Sequence, residues 1–74
     1  MVLQRYQNNG GNSNVIAFQI EDDYIDVQFG DGKVYRYSYN SAGKSKVEEM
    51  KKLALSGSGL NSYIMRNARL DYEE

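Results

Sequence analysis

Three stretches of this chain have residue types and spacings that could do chemistry, and each must be weighed against a plainer role. Ala42-Gly43-Lys44-Ser45 follows a strand-like run and precedes a helix-like one, where a phosphate-cradling loop would sit. The pattern G-x-x-x-x-G-K-[ST] fails at Ser38, where its first glycine belongs, and 74 residues leave no room for the rest of a nucleotide site. It reads as a glycine-containing loop with a capping serine. Glu21-Asp22-Asp23 offers hard oxygen ligands for a divalent cation. It lacks the alternating carboxylates and late glutamate of a calcium loop, so it reads as a solvated turn. Tyr35, Tyr37 and Tyr39 form a ladder on one face of a strand, with Arg36 and Ser38 on the other. Rings beside cations are the ingredients of single-stranded nucleic-acid binding, since every base offers a π-face and every phosphate a charge. Tyrosine also suits a half-buried strand, with its ring in the core and its hydroxyl at the rim. Both readings of the ladder stand.

Composition narrows the chemistry further. The chain has no cysteine and no histidine, so disulfides, thiolate sites, imidazole dyads and most zinc sites are excluded. No constellation fixes a pair of acids at a catalytic separation, so the expectation is a protein that is not an enzyme and takes no cofactor and no metal. Charge is segregated. Acids predominate up to Gly32, bases from Lys33 to Arg69, and the last five residues are acidic again. No apolar run approaches the roughly 20 residues of a membrane span, and no basic start leads into an apolar stretch. A cytoplasmic setting is expected, with no membrane partner.

The elements that must position these residues are organised around Ile25 to Tyr39. Two runs of period two flank Gly30-Asp31-Gly32 and predict a β-hairpin. A two-residue loop would scatter the apolar side chains over both faces. A three-residue loop pairs Phe29 with Lys33, Val27 with Tyr35 and Ile25 with Tyr37, and sets Asp26 against Arg36 on the other surface. That register requires a positive φ at the end of the turn, which Gly32 supplies without a Cβ penalty. Val15 to Ile20 alternates and predicts a first strand, with Ile16, Phe18 and Ile20 on one side. Ser45-x-x-Glu48 has the spacing of a capping box, and Val47, Met50, Leu53 and Ala54 recur as one helical face that stops at Gly57. Ser58 would cap a second helix over Leu60 to about Asn67, with Leu60, Tyr63, Ile64 and Ala68 on one side. The expected fold is α+β, a three-stranded antiparallel meander with two C-terminal helices packed on one face. Residues 1–12 are expected as a flexible arm in which Val2, Leu3 and Tyr6 offer the contacts of a short extra strand. Residues 13–68 form the domain, and 69–74 a frayed acidic tail.

Phe29-x-x-Gly32-x-x-Tyr35-Arg36-Tyr37 followed by Gly57-x-x-Leu60-Asn61-x-x-Ile64 resembles the KTSC domain over about residues 13 to 68. That module is named for the C-terminus of some lysyl-tRNA synthetases and also occurs alone as small bacterial and phage proteins. The resemblance implies a small module with a role in RNA binding inferred from the synthetase context. Two departures are visible: Tyr39-Asn40-Ser41-Ala42-Gly43 replaces a proline-containing turn, and Ser58-Gly59 stands where lysines are common.

The functional expectation is a noncatalytic module that binds RNA or single-stranded nucleic acid. Arg36, Lys44, Lys51, Lys52 and Arg66 would contact phosphate, and Tyr39 or Tyr63 would stack on a base. The alternative is a protein-interaction or accessory module acting through the uncovered sheet face or a self-paired edge.

Overall fold

The hairpin around Gly30-Asp31-Gly32 takes the three-residue form. The computed structural model describes residues 3–9 and 14–73. Within it β3 (Tyr24–Phe29) and β4 (Val34–Ser38) pair antiparallel with Ile25 opposite Tyr37, Asp26 opposite Arg36 and Val27 opposite Tyr35. The Phe29 N–H donates to the Lys33 carbonyl at 2.9 Å, and the Gly32 N–H to the Phe29 carbonyl at 2.8 Å, with Gly32 at φ 89°. Asp31 Oδ1 accepts the Lys33 N–H at 3.0 Å and fixes the turn locally.

The chain is a small α+β fold whose antiparallel sheet has four strands rather than three, in the order β1-β2-β3-β4. The added strand is β1 (Gln4–Arg5), paired with β2 (Val15–Ile20). It lies in the segment expected as a free arm. Tyr6 is the reason it docks. Its ring is buried against Phe18, its N–H donates to the Ile16 carbonyl at 3.0 Å, and its hydroxyl accepts the Leu60 N–H at 3.3 Å. The rest of the expected arm, residues 1–2 and 10–12, lies outside the described residues.

In β2 the expected alternation is broken. Val15 pairs with Phe29 but Ala17 with Gln28, so Ile16 is an inserted residue, a β-bulge. Val15 and Phe18 therefore point inward, Ile16 turns to solvent, and Ile20 is half-buried.

Two helical segments cover the face of the sheet that carries Ile25, Val27 and Tyr37. The first is α1 (Lys44–Ser56), which contributes Val47, Met50 and Ala54; the second, α2 (Leu60–Tyr63), continues directly into a π-helical turn (Ile64–Ala68) and contributes Leu60, Ile64 and Ala68. Neither expected serine cap forms. Gly43 precedes α1, so Ser45 falls inside the first turn and Glu48 is drawn to other partners; Gly59, not Ser58, precedes α2. Among the described residues no helix is long and apolar enough to cross a membrane.

The stop at Gly57 holds, with φ 78° and its N–H shared between the Leu53 and Ala54 carbonyls. The segment after β1 closes over it: the Asn9 N–H donates to the Gly57 carbonyl at 2.7 Å, and a Cβ at Gly57 would lie 2.8 Å from the Gln7 Cβ. Left-handed backbone and close approach both penalise a side chain there. Gly57→Ala should lower unfolding free energy by at least about 1–2 kcal/mol, as read by urea denaturation, whereas an alanine in an exposed right-handed turn would not.

Candidate functional site

The roof of helices leaves a cleft of about 270 Å³ between the β3–β4 hairpin and the segment that follows the π-helical turn. Cross-strand alternation puts Phe29, Tyr35 and Tyr37 on this side of the sheet, and Met65, Arg69, Leu70 and Tyr72 complete the wall. The rings form a chain. Phe29 lies 5.5 Å from Tyr35, Tyr35 4.8 Å from Tyr72, and Tyr72 6.3 Å from Tyr37 in an edge-on contact. Leu70 is 79% exposed and Met65 48%.

Residues 69–73, expected as a frayed tail, hold this wall in place. Lys46 Nζ reaches Asp71 Oδ2 at 2.7 Å, and the Glu73 N–H donates to the Arg36 carbonyl on the outer edge of β4 at 2.6 Å. An aromatic residue within an acidic run was the only local sign of this docking, and residue 74 lies outside the described residues. Tyr37, fully covered, has its phenol pushed up to about 12, chiefly by burial and then by Tyr35, Tyr72 and Asp71.

The residues expected to meet nucleic acid are spread over several surfaces. Arg36 lies on the opposite sheet face from the helices, where its Nε and Nη2 hold Asp26 at 2.8 and 3.1 Å and its guanidinium stacks 4.0 Å over the Tyr24 ring. The Asp26 hydrogen bond raises the Arg36 pKa further. Asp26 is only 1% exposed, so drawing Arg36 away to a phosphate would uncover a buried carboxylate. Tyr39 and Lys51 converge on Glu48: the Tyr39 hydroxyl donates to Glu48 Oε2 at 2.6 Å and Lys51 Nζ sits 2.8 Å from the same oxygen. Lys51 and then Tyr39 hold the Glu48 carboxyl below its ordinary range, and Glu48 in return lifts the Tyr39 phenol to about 12. Lys51 Nζ also donates to the Asp22 carbonyl at 2.8 Å, tying α1 to the β2–β3 turn. Lys44, Lys52 and Arg66 are exposed, and Tyr63 is half-buried against the core.

The Glu21–Asp23 turn offers the fold its carbonyls, accepting from Lys51 at Asp22 and from the Tyr39 N–H at Asp23. Among the described residues no three acids gather to hold a metal ion. Comparison of the chain with protein-family models, with curated proteins and with solved structures gives no match.

Two outcomes follow from this geometry. The absorbance of the Tyr37 and Tyr39 phenolates should develop near pH 12 rather than 10. A phenol raised on folding stabilises below its unfolded pKa of about 10 and loses that contribution as pH climbs toward 12, so stability should fall over that window and fall less in Tyr37→Phe. Replacing Lys51 by Met should cost about 1 kcal/mol in urea denaturation, and replacing Lys52 by Met less than about 0.5 kcal/mol, because only the first side chain ties two elements together.

Proposed function

We propose that the chain is a noncatalytic interaction module that engages a protein partner at the aromatic cleft and the adjoining edge of β4. The observation that carries this reading is the cleft itself, whose tyrosines, methionine and arginine are the residue types enriched at protein interfaces. Its exposed rim at Met65 and Leu70 is apolar surface that a partner would cover. A volume of about 270 Å³ suits one or two side chains better than a drug-sized cofactor. The absence of cysteine fits a reducing, cytoplasmic setting.

A second reading, RNA or single-stranded nucleic acid, rests on the exposed Lys44, Lys52 and Arg66 and on the KTSC resemblance. It has fewer free cations to draw on than the sequence suggests, since Arg36 and Lys51 are already paired.

Panning a random heptapeptide library against the full chain should enrich peptides that shift the Met65 and Leu70 methyl and Tyr35 ring resonances. Met65→Ser with Leu70→Ser, both at exposed positions, should weaken those peptides at least about tenfold. Failure to enrich any peptide at the cleft would remove the reading. Mixed-sequence single-stranded RNA that binds at low salt, and is lost in Lys52→Gln with Arg66→Gln, would install the second one.

A further inference from the structure

We infer that the partner is an extended protein segment with an aromatic residue flanked by carboxylates, which adds to the outer edge of β4 in the place now held by the chain's own Asp71-Tyr72-Glu73. This rests on the cleft being the interaction site. The ligand's chemistry is read from what occupies the seat. Tyr72 supplies the ring against Tyr35 and Tyr37, Asp71 the carboxylate for Lys46, and Glu73 the backbone N–H for the Arg36 carbonyl.

The edge is built to receive a strand. Lys33 and Tyr39 bond inward to β3, and strand alternation makes Tyr35 and Tyr37 do the same, so the backbone groups of Val34 and Arg36 face outward. Ser38 is closed by its own turn, its carbonyl accepting the Ser41 and Ala42 N–H groups. Among the described residues the Arg36 carbonyl alone accepts a backbone hydrogen bond from the closing segment, and Val34 beside it is 40% exposed. A longer extended segment would take up the remaining edge as an added strand. Lys46 lies where its first acid would fall, and the charge of the Glu73 that stands for the second is felt at Arg36.

The present occupant is lightly held. Its ion pair is part-exposed on both sides, its ring is half-buried, and of its two backbone hydrogen bonds one, from the Asp71 N–H to the Ala68 carbonyl, is local, leaving the Glu73 N–H to reach the sheet. Such a segment opens at low cost, and its tethering makes it a competitor at high local concentration.

The test uses the full chain, with acetyl-Leu-Asp-Tyr-Glu-Glu-amide as probe. Full-length Tyr72→Ala should bind it at least about tenfold more tightly than the unaltered chain, with shifts at the Val34 and Arg36 amides and the Lys46 side chain. Retained amide dispersion reports that the variant is folded. Should it unfold, Asp71→Asn replaces it, and in the unaltered chain excess probe should speed exchange of the Glu73 amide.

Absence of those shifts at millimolar probe overturns the inference, as does equal affinity for the two chains. Equal binding of acetyl-Leu-Asn-Tyr-Gln-Gln-amide keeps the cleft but overturns the acidic partner. Library peptides that bind at Tyr35 and Met65 when the probe does not also leave the cleft reading standing and sink this one. A dimer that exchanges residues 70–73 would make the occupant a second copy and overturn the inference as well.

Discussion

The pairing of β3 with β4 across a three-residue turn is the constraint on which the other contacts depend. With Gly32 at positive φ, Val27 meets Tyr35 and Ile25 meets Tyr37, so one face becomes continuously apolar. The same register brings Asp26 and Arg36 together on the reverse face, where the guanidinium screens a carboxylate that has almost no contact with water. A slip of one residue would exchange the two sets and bury a charge against the helices. Hydrophobic face, ion pair and turn glycine thus enforce one alignment.

A chain of this size has little core, and it recruits segments from both sides of the domain to enlarge it. Tyr6 brings β1 onto the sheet and accepts a hydrogen bond from the start of α2, while Asn9 meets the end of α1. At the other side Tyr72 lies over Tyr35 and Tyr37. The two additions differ in depth. Tyr6 is buried, whereas the segment carrying Tyr72 is flanked by the highly exposed Leu70 and the exposed Glu73. The first completes the core; the second covers an edge and leaves a cleft beside it.

Charge also reads differently once partners are in place. The run from Lys33 to Arg69 is rich in bases, but Arg36, Lys46 and Lys51 each face an acid, and Lys51 ties α1 to the turn at Asp22. Part of what looks basic along the chain is balanced across the fold. The cations of this run still directed at solvent are Lys33 beside the hairpin turn, Lys44 and Lys52 on α1, Arg66 on the π-helical turn and Arg69 just beyond it.

Local pattern alone determined the hairpin register, the inward faces of both helices and the stop at Gly57, because each follows from neighbours a few residues apart. It also excluded thiol and imidazole chemistry outright. Tertiary structure decided the rest. The bulge at Ile16 reverses an alternation that looked regular, Glu48 leaves its expected cap for Tyr39 and Lys51, and the cleft draws Phe29, Met65, Leu70 and Tyr72 from three separate segments. Tyr35 and Tyr37 were visible as a ladder, but their neighbour Tyr72 was not. Contacts such as Tyr6 with Leu60 and Lys46 with Asp71 join residues 54 and 25 positions apart, and periodicity carries no record of such distances. They exist because burying a ring or pairing a charge lowers free energy only after the fold has brought these distant segments within reach.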